Sequence, residues 1–169
     1  MVDFLKIFRK SHILFLSFSL LILFGCKEDS REKKGNLYPH FSALKASKIN
    51  ARCGPGMSYP IEWTFIKSDI PVEVLEEYDH WRKIRDFDGS EAWVNKTMLK
   101  KKRTALIKSK VAPLYKDPHP TSLILAHLVH GVLVDIQTCD GTWCRVKVQD
   151  FKGFVIENDL FGTLPHEKI

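Results

Sequence analysis

Hydrophobic and polar positions alternate in short runs along this chain, with turn residues between the runs, from about residue 44 onward. Residues 48–52 (Lys48-Ile49-Asn50-Ala51-Arg52) alternate and stop at Gly54-Pro55-Gly56, a strong turn signal. Residues 62–67 and 72–78 read as strands, and Asp79-His80 turns the chain into another over 81–86. Asp88-Gly89 then opens a hairpin into Glu91-Ala92-Trp93-Val94. Nothing here holds a long helical period. The pattern then repeats. Ile49 aligns with Val111, Trp81 with Trp143 and Ile84 with Val146, each 62 residues apart. Val72 and Val74 align with Val132 and Val134 at 60, while Trp93 with Phe154 and Leu99 with Leu160 stand at 61. A nearly fixed period means two copies of one small unit. Short strands at regular spacing predict an all-β chain of two tandem small barrels, over residues 44–103 and 104–165. Each has a marginal core alone, so packing one copy on the other should stabilise both. Lys100-Lys101-Lys102-Arg103 lies at the junction, where like charges keep the chain extended unless it pairs with a strand.

The N-terminus has a different pattern. Lys6, Arg9 and Lys10 precede a 12-residue apolar run over 13–24, then Gly25-Cys26. This is the layout of a secretory signal peptide. The run is short for a spanning helix, which needs roughly 20 apolar residues. Leu23-Phe24-Gly25-Cys26 resembles the lipobox of bacterial lipoproteins, with Phe24 where a smaller residue is usual. The resemblance implies that Cys26 is lipidated and becomes the mature N-terminus. Residues 1–26 are thus the expected signal segment. The charged stretch after it cannot bury a core and reads as a flexible tether over 27–43.

Charge narrows the partners. Processing before Cys26 removes three basic and one acidic side chain, leaving 23 against 19. That modest excess suits anionic lipid head groups or an anionic wall polymer, or simply a solvated surface. Export makes nucleic acid a poor partner.

Asn50-Ala51-Arg52-Cys53-Gly54-Pro55-Gly56, then Trp81-Arg82-Lys83-Ile84, then Ala92-Trp93-Val94, resemble the bacterial SH3 (SH3b) family. The likeness is greatest to the two-unit, SH3-like envelope proteins of proteobacteria. The first copy departs at Ala92, where the family has glycine, and at Cys53. The second shows Pro113-Leu114-Tyr115-Lys116-Asp117-Pro118 in place of the glycine turn and Gly153-Phe154 for Gly-Trp. The resemblance implies partly open barrels of five to seven strands that bind cell-wall peptide or glycan, often beside wall hydrolases. The residues outside the repeats leave no room for a hydrolase domain.

Strand parity marks a candidate binding face. In residues 143–148, Cys144, Val146 and Val148 share one face, and Trp143, Arg145 and Lys147 share the other. In the first copy Ile84 lies opposite Trp81, Lys83 and Arg85. An aromatic beside two cations could stack on sugar or peptide and meet carboxylates; the alternative is that these rings fill the cores or cover a barrel end. Trp93 is expected in the core.

Cys139 and Cys144 flank Asp140-Gly141-Thr142-Trp143, and in an oxidising compartment that spacing favours a disulfide. The alternative is a zinc site with His127 and His130, but alternate strand positions aim those rings apart. Cys53 is expected as a small residue packed beneath its turn, because no base is placed beside it. Scattered Ser, His and Asp form no triad, so neither catalysis nor a cofactor is expected. Two functions remain. One is a module of the periplasm or cell envelope that binds cell-wall peptide or glycan and is anchored to the membrane through lipid. The other is a structural lipoprotein that docks another envelope protein.

Overall fold

A computed structural model describes residues 38–169, together with a two-residue strand, β1 (Lys6–Ile7), paired antiparallel with Thr64 and Phe65. Apart from β1, the expected signal segment, Cys26 and the tether up to residue 37 lie outside the described residues.

The first unit comprises β2 (His40–Leu44), β3 (Ile49–Arg52), β4 (Ile61–Phe65), β5 (Pro71–Tyr78), β6 (Trp81–Arg85), β7 (Glu91–Asn95) and β8 (Leu99–Lys100). The second comprises β9 (Thr104–Ile107), β10 (Val111–Tyr115), β11 (Ile124–Val129), β12 (Leu133–Cys139), β13 (Trp143–Val148), β14 (Phe151–Ile156) and β15 (Leu160–Phe161). A single 3-10 turn precedes the last strand of each, Lys96–Met98 and Glu157–Asp159. The strand orders β4-β3-β7-β6-β5-β2-β8 and β11-β10-β14-β13-β12-β9-β15 are the same order written twice. Every pairing is antiparallel. This is the all-β fold of two tandem units that the spacing of turns predicts, with the SH3-like architecture that the resemblance implies.

The strand registers correct the internal alignment. Arg52 pairs with Trp93 and Tyr115 with Phe154, so Arg52 is the counterpart of Tyr115, and Ile49 that of Ala112. Val111, aligned with Ile49 by sequence, is exposed, whereas Ile49 and Ala112 are buried. Val74 pairs with Ile84 and Ile136 with Val146, which makes Ile136, and not Val134, the counterpart of Val74. A register shift follows each of these two residues at the same place. Slipping a strand by two residues keeps its hydrophobic face unchanged, so apolarity alone does not reveal the error.

The expected tether also ends early. His40–Leu44 forms β2, paired with β5 and β8, and Phe41, Ala43 and Leu44 are buried. Its counterpart is β9, whose Ala105 and Ile107 enter the second core while Leu106 enters the first. Phe87 and Phe161 meet at 5.5 Å and Phe87 and His130 at 5.0 Å, continuing the contact between the units.

Three of the four basic residues at the junction pair with described acids. Lys100 pairs with Asp69 at 2.6 Å, Lys102 with Asp135 at 2.7 Å, and Arg103 with Glu167 at 2.8 Å. The Thr104 hydroxyl donates to the Asp69 carbonyl at 2.8 Å. The junction is pinned to neighbouring strands and the C-terminal segment rather than held out by repulsion, because Lys100, Lys102 and Arg103 each meet an acid, while Lys101 is exposed.

Candidate functional site

In the second unit β13 presents Trp143, Arg145 and Lys147 on the outer side of the sheet, while Cys144 and Val146 are fully buried on the inner side. Trp143 is half-buried and packs edge-on against Tyr115, ring centroids 5.3 Å apart at 89°. Arg145 stands directly opposite Phe154, which stands opposite Tyr115. Tyr115, Trp143 and Phe154 therefore share one outward face with Arg145. Both Arg145 and Lys147 are exposed, and neither forms a salt bridge among the described residues. Gly153 permits the tight crossing beneath this face, since a Cβ there would lie 2.5 Å from the Tyr115 carbonyl oxygen.

The hairpin tip is braced on two sides. Cys139 and Cys144 are cross-strand partners joined in a disulfide, both buried in the second core. Their sulfurs are consumed in that bond, and His127 is exposed on β11. Asp140 accepts from the backbone N–H groups of Thr142 and Trp143, each at 2.8 Å. The Trp143 N–H, followed by that of Thr142, holds the Asp140 carboxyl below its ordinary range. The backbone under Trp143 is thus fixed before any ligand arrives.

The first unit places its equivalent trio differently. Trp81 is only 8% exposed, yet lies outside both core clusters. The Lys83 ammonium is 3.2 Å from Glu91 and 4.0 Å from Glu76. Arg85 meets Glu73 at 3.0 Å and Glu91 at 2.7 Å. Hydrogen bonding to Glu91 raises the Arg85 value. Burial pushes Glu91 up, but hydrogen bonds from Arg85 and Lys83 outweigh it and leave the carboxyl below its usual value. These cations already have carboxylate partners.

Trp93 is not in the core as expected. Ala92 and Val94 take the inward positions of β7, so parity turns Trp93 outward, half-buried, opposite Lys83 and Arg52. The glycine turn closes over Tyr59: a Cβ on Gly54 would fall 2.3 Å from that ring, and the Arg52 guanidinium donates to the Tyr59 carbonyl at 2.7 Å. Cys53 is half-buried at this turn and outside any disulfide among the described residues. Tyr115 and Phe154 were missing from the sequence-derived face. Parity alone could have supplied Phe154, two residues from Ile156 on the strand that faces Trp143. Tyr115 could not be found so, because its place depends on β10 crossing onto β14. No three His, Cys, Asp or Glu side chains converge as metal ligands among the described residues.

Paired SH3-like barrels, each with rings and cations on an outward face, define the class of fold. The bacterial SH3 domain family matches residues 45–101 and 108–162, and the chain belongs to that family. Bacterial SH3 domains generally bind cell-wall components. No curated protein matches the chain. Among solved structures it is similar to NlpC2 from Trichomonas vaginalis, at 18% identity over 76% of this chain and 50% of that one, with a TM-score of 0.33. NlpC1 from the same organism is similar at 18% identity over 84% and 50%, with a TM-score of 0.32. The chain spans about half the length of each.

Proposed function

We propose that this protein is an exported, non-enzymatic module of the bacterial cell envelope that binds cell-wall peptide or glycan. Its Cys26 carries the lipid that holds it to a membrane. The observation that supports binding most directly is the face of Trp143, Tyr115 and Phe154 beside exposed Arg145 and Lys147. Flat rings stack on sugars and peptide planes, and unneutralised cations meet the carboxylates of wall peptides. Retention on purified sacculi tests the reading: the parent should be retained, and the Arg145→Ala/Lys147→Ala double variant should be lost in the wash. Equal retention of both would remove the role of this face. Mass spectrometry of the envelope fraction tests the anchor, with a diacylated or triacylated Cys26 expected at the N-terminus and an unprocessed Met1 overturning it.

A docking role for another envelope protein has its own support. Leu123, Ile124 and Val129 on or beside edge strand β11, with Val111 opposite Val129, are all exposed. Retention of the chain by one envelope protein, in the absence of wall material, would favour that role.

A further inference from the structure

The two units present the same strand ladder with one charge reversed, Glu91 in the first and Lys152 in the second. In the first, Arg85 stands between Glu73 on β5 and Glu91 on β7 and bonds both. In the second, the matching residue Lys147 stands between Asp135 on β12 and Lys152 on β14. Lys102 already occupies Asp135 at 2.7 Å. One strand position further, Lys83 has Glu76 opposite, whereas Arg145 has Thr138. Glu91 and Glu76 are thus replaced by Lys152 and Thr138. The change leaves Arg145, Lys147 and Lys152 exposed and close together, without a salt bridge to any described acid.

Like charges directly opposite across antiparallel strands are destabilising, with Cβ atoms about 5 Å apart. The Lys147–Lys152 pair is such a juxtaposition. Local conflicts of this kind concentrate where a protein meets a ligand, and an anion bound between the two ammonium groups would relieve it. Arg145 lies on the same face, roughly 7 Å further along the strand, beside Phe154 and Tyr115.

We propose that anionic ligand binding belongs to the second unit alone, at a three-cation site of Arg145, Lys147 and Lys152 flanked by Trp143, Tyr115 and Phe154. Its ligand carries at least two carboxylates within about 10 Å, the reach of cations so spaced. The matching face of the first unit is closed by its own Glu76 and Glu91. The assignment rests on the wall-binding reading and narrows it to the carboxylate-bearing peptides of the wall.

The experiment is calorimetric titration of the full chain with a soluble wall stem peptide that has free carboxylates, with the same peptide amidated, and with a soluble polyphosphate, beside sacculus retention of Trp143→Ala. The expected stoichiometry is one peptide per chain. Lys152→Glu should weaken the free-carboxylate peptide tenfold or more and flatten its salt dependence, with a melt at or slightly above the parent's, because the change replaces the Lys147–Lys152 repulsion by an opposite-charge pair. Glu91→Lys should leave the first site intact and raise the stoichiometry toward two. Two peptides per parent chain, or unchanged affinity in Lys152→Glu, overturns the assignment, and polyphosphate binding with indifference to amidation overturns its carboxylate part. If Trp143→Ala loses wall retention while Lys152→Glu keeps full peptide affinity, the wall-binding reading stands and this site falls. A parent that neither sacculi nor peptide retains removes both.

Discussion

Phe41 and Phe161 meet edge-on across the boundary between the two units, ring centroids 5.1 Å apart at 88°. Phe41 belongs to β2 and Phe161 to β15, so the first strand of one copy touches the last strand of the other. Leu106, fully buried, completes the join by packing within the first core from a strand of the second unit. Two units of this size whose cores are joined by Leu106 and by the Phe41–Phe161 contact should unfold together. Calorimetry of residues 38–169 is expected to give one transition. Leu106→Ala should cost about 2–5 kcal/mol through lost contacts and a cavity and should lower that single transition without splitting it. Two separate transitions in the parent would show the units to be independent.

Acid should weaken the fold through its paired carboxylates. Lys100 donates to Asp69 and holds it below the ordinary 3.8, with Lys102 adding to the effect. Burial raises Glu167, but hydrogen bonds from Arg103 and the Leu164 N–H outweigh it and keep the carboxyl under 4.5. Glu91 is depressed likewise. Groups whose folded value is depressed contribute stability that is present above the unfolded value and lost as pH falls through the folded one. The urea midpoint should therefore stay level from neutral pH to about 5 and drop below roughly 4. Arg103→Gln should make part of that drop disappear, because Glu167 then titrates nearer its ordinary value. An identical acid profile in the variant would leave the Arg103–Glu167 pair without a stabilising role.

Much of this fold was legible because strand parity and turn residues are local signals. Ile49–Arg52 ends at its glycine turn, Trp81–Arg85 follows Asp79-His80, and Glu91–Asn95 follows Asp88-Gly89 as the alternation predicts. The errors fall where non-local pairing decides. His40–Leu44 follows a charged stretch, and only its pairing with β5 and β8 shows it to be a strand. Trp93, next to Val94 on a late strand, is expected in the core, but Ala92 and Val94 claim the inner face. Sequence parity grouped Trp81 with Lys83 and Arg85, and Trp143 with Arg145 and Lys147. It could not show that acids on β5 and β7 occupy the first pair of cations and leave the second exposed.

Reduction of Cys139–Cys144 should have a small, local effect. The closed loop is short, with a sequence separation of 5, so loop-closure entropy gives about 1–2 kcal/mol, under the typical figure for longer loops. The Asp140 turn and the β12–β13 pairing remain without it. Cys139→Ala/Cys144→Ala should lower the melting point by several degrees and leave the far-ultraviolet spectrum unchanged. Global unfolding on reduction would show that the bond holds the second core together.

The sharpest separation is between the two equivalent tryptophans. Trp81 is 8% exposed, whereas Trp143 is half-buried against Tyr115 at 5.3 Å. Removing a buried indole costs roughly 3–5 kcal/mol, a large share of the stability of a domain this small. Removing a ring on the outer face forfeits mainly an edge-on aromatic contact, about 1 kcal/mol. Trp81→Ala should therefore melt far below the parent, while Trp143→Ala should stay within a few degrees of it. Wall retention should follow the opposite order once each variant is measured well below its own melting point. Trp143→Ala should be weakly retained, and Trp81→Ala, where folded, should be retained as the parent is. Equal losses of stability would mean that Trp143 is a structural ring. A near-parent melt with unchanged retention would leave the outward face of the second unit without a binding role.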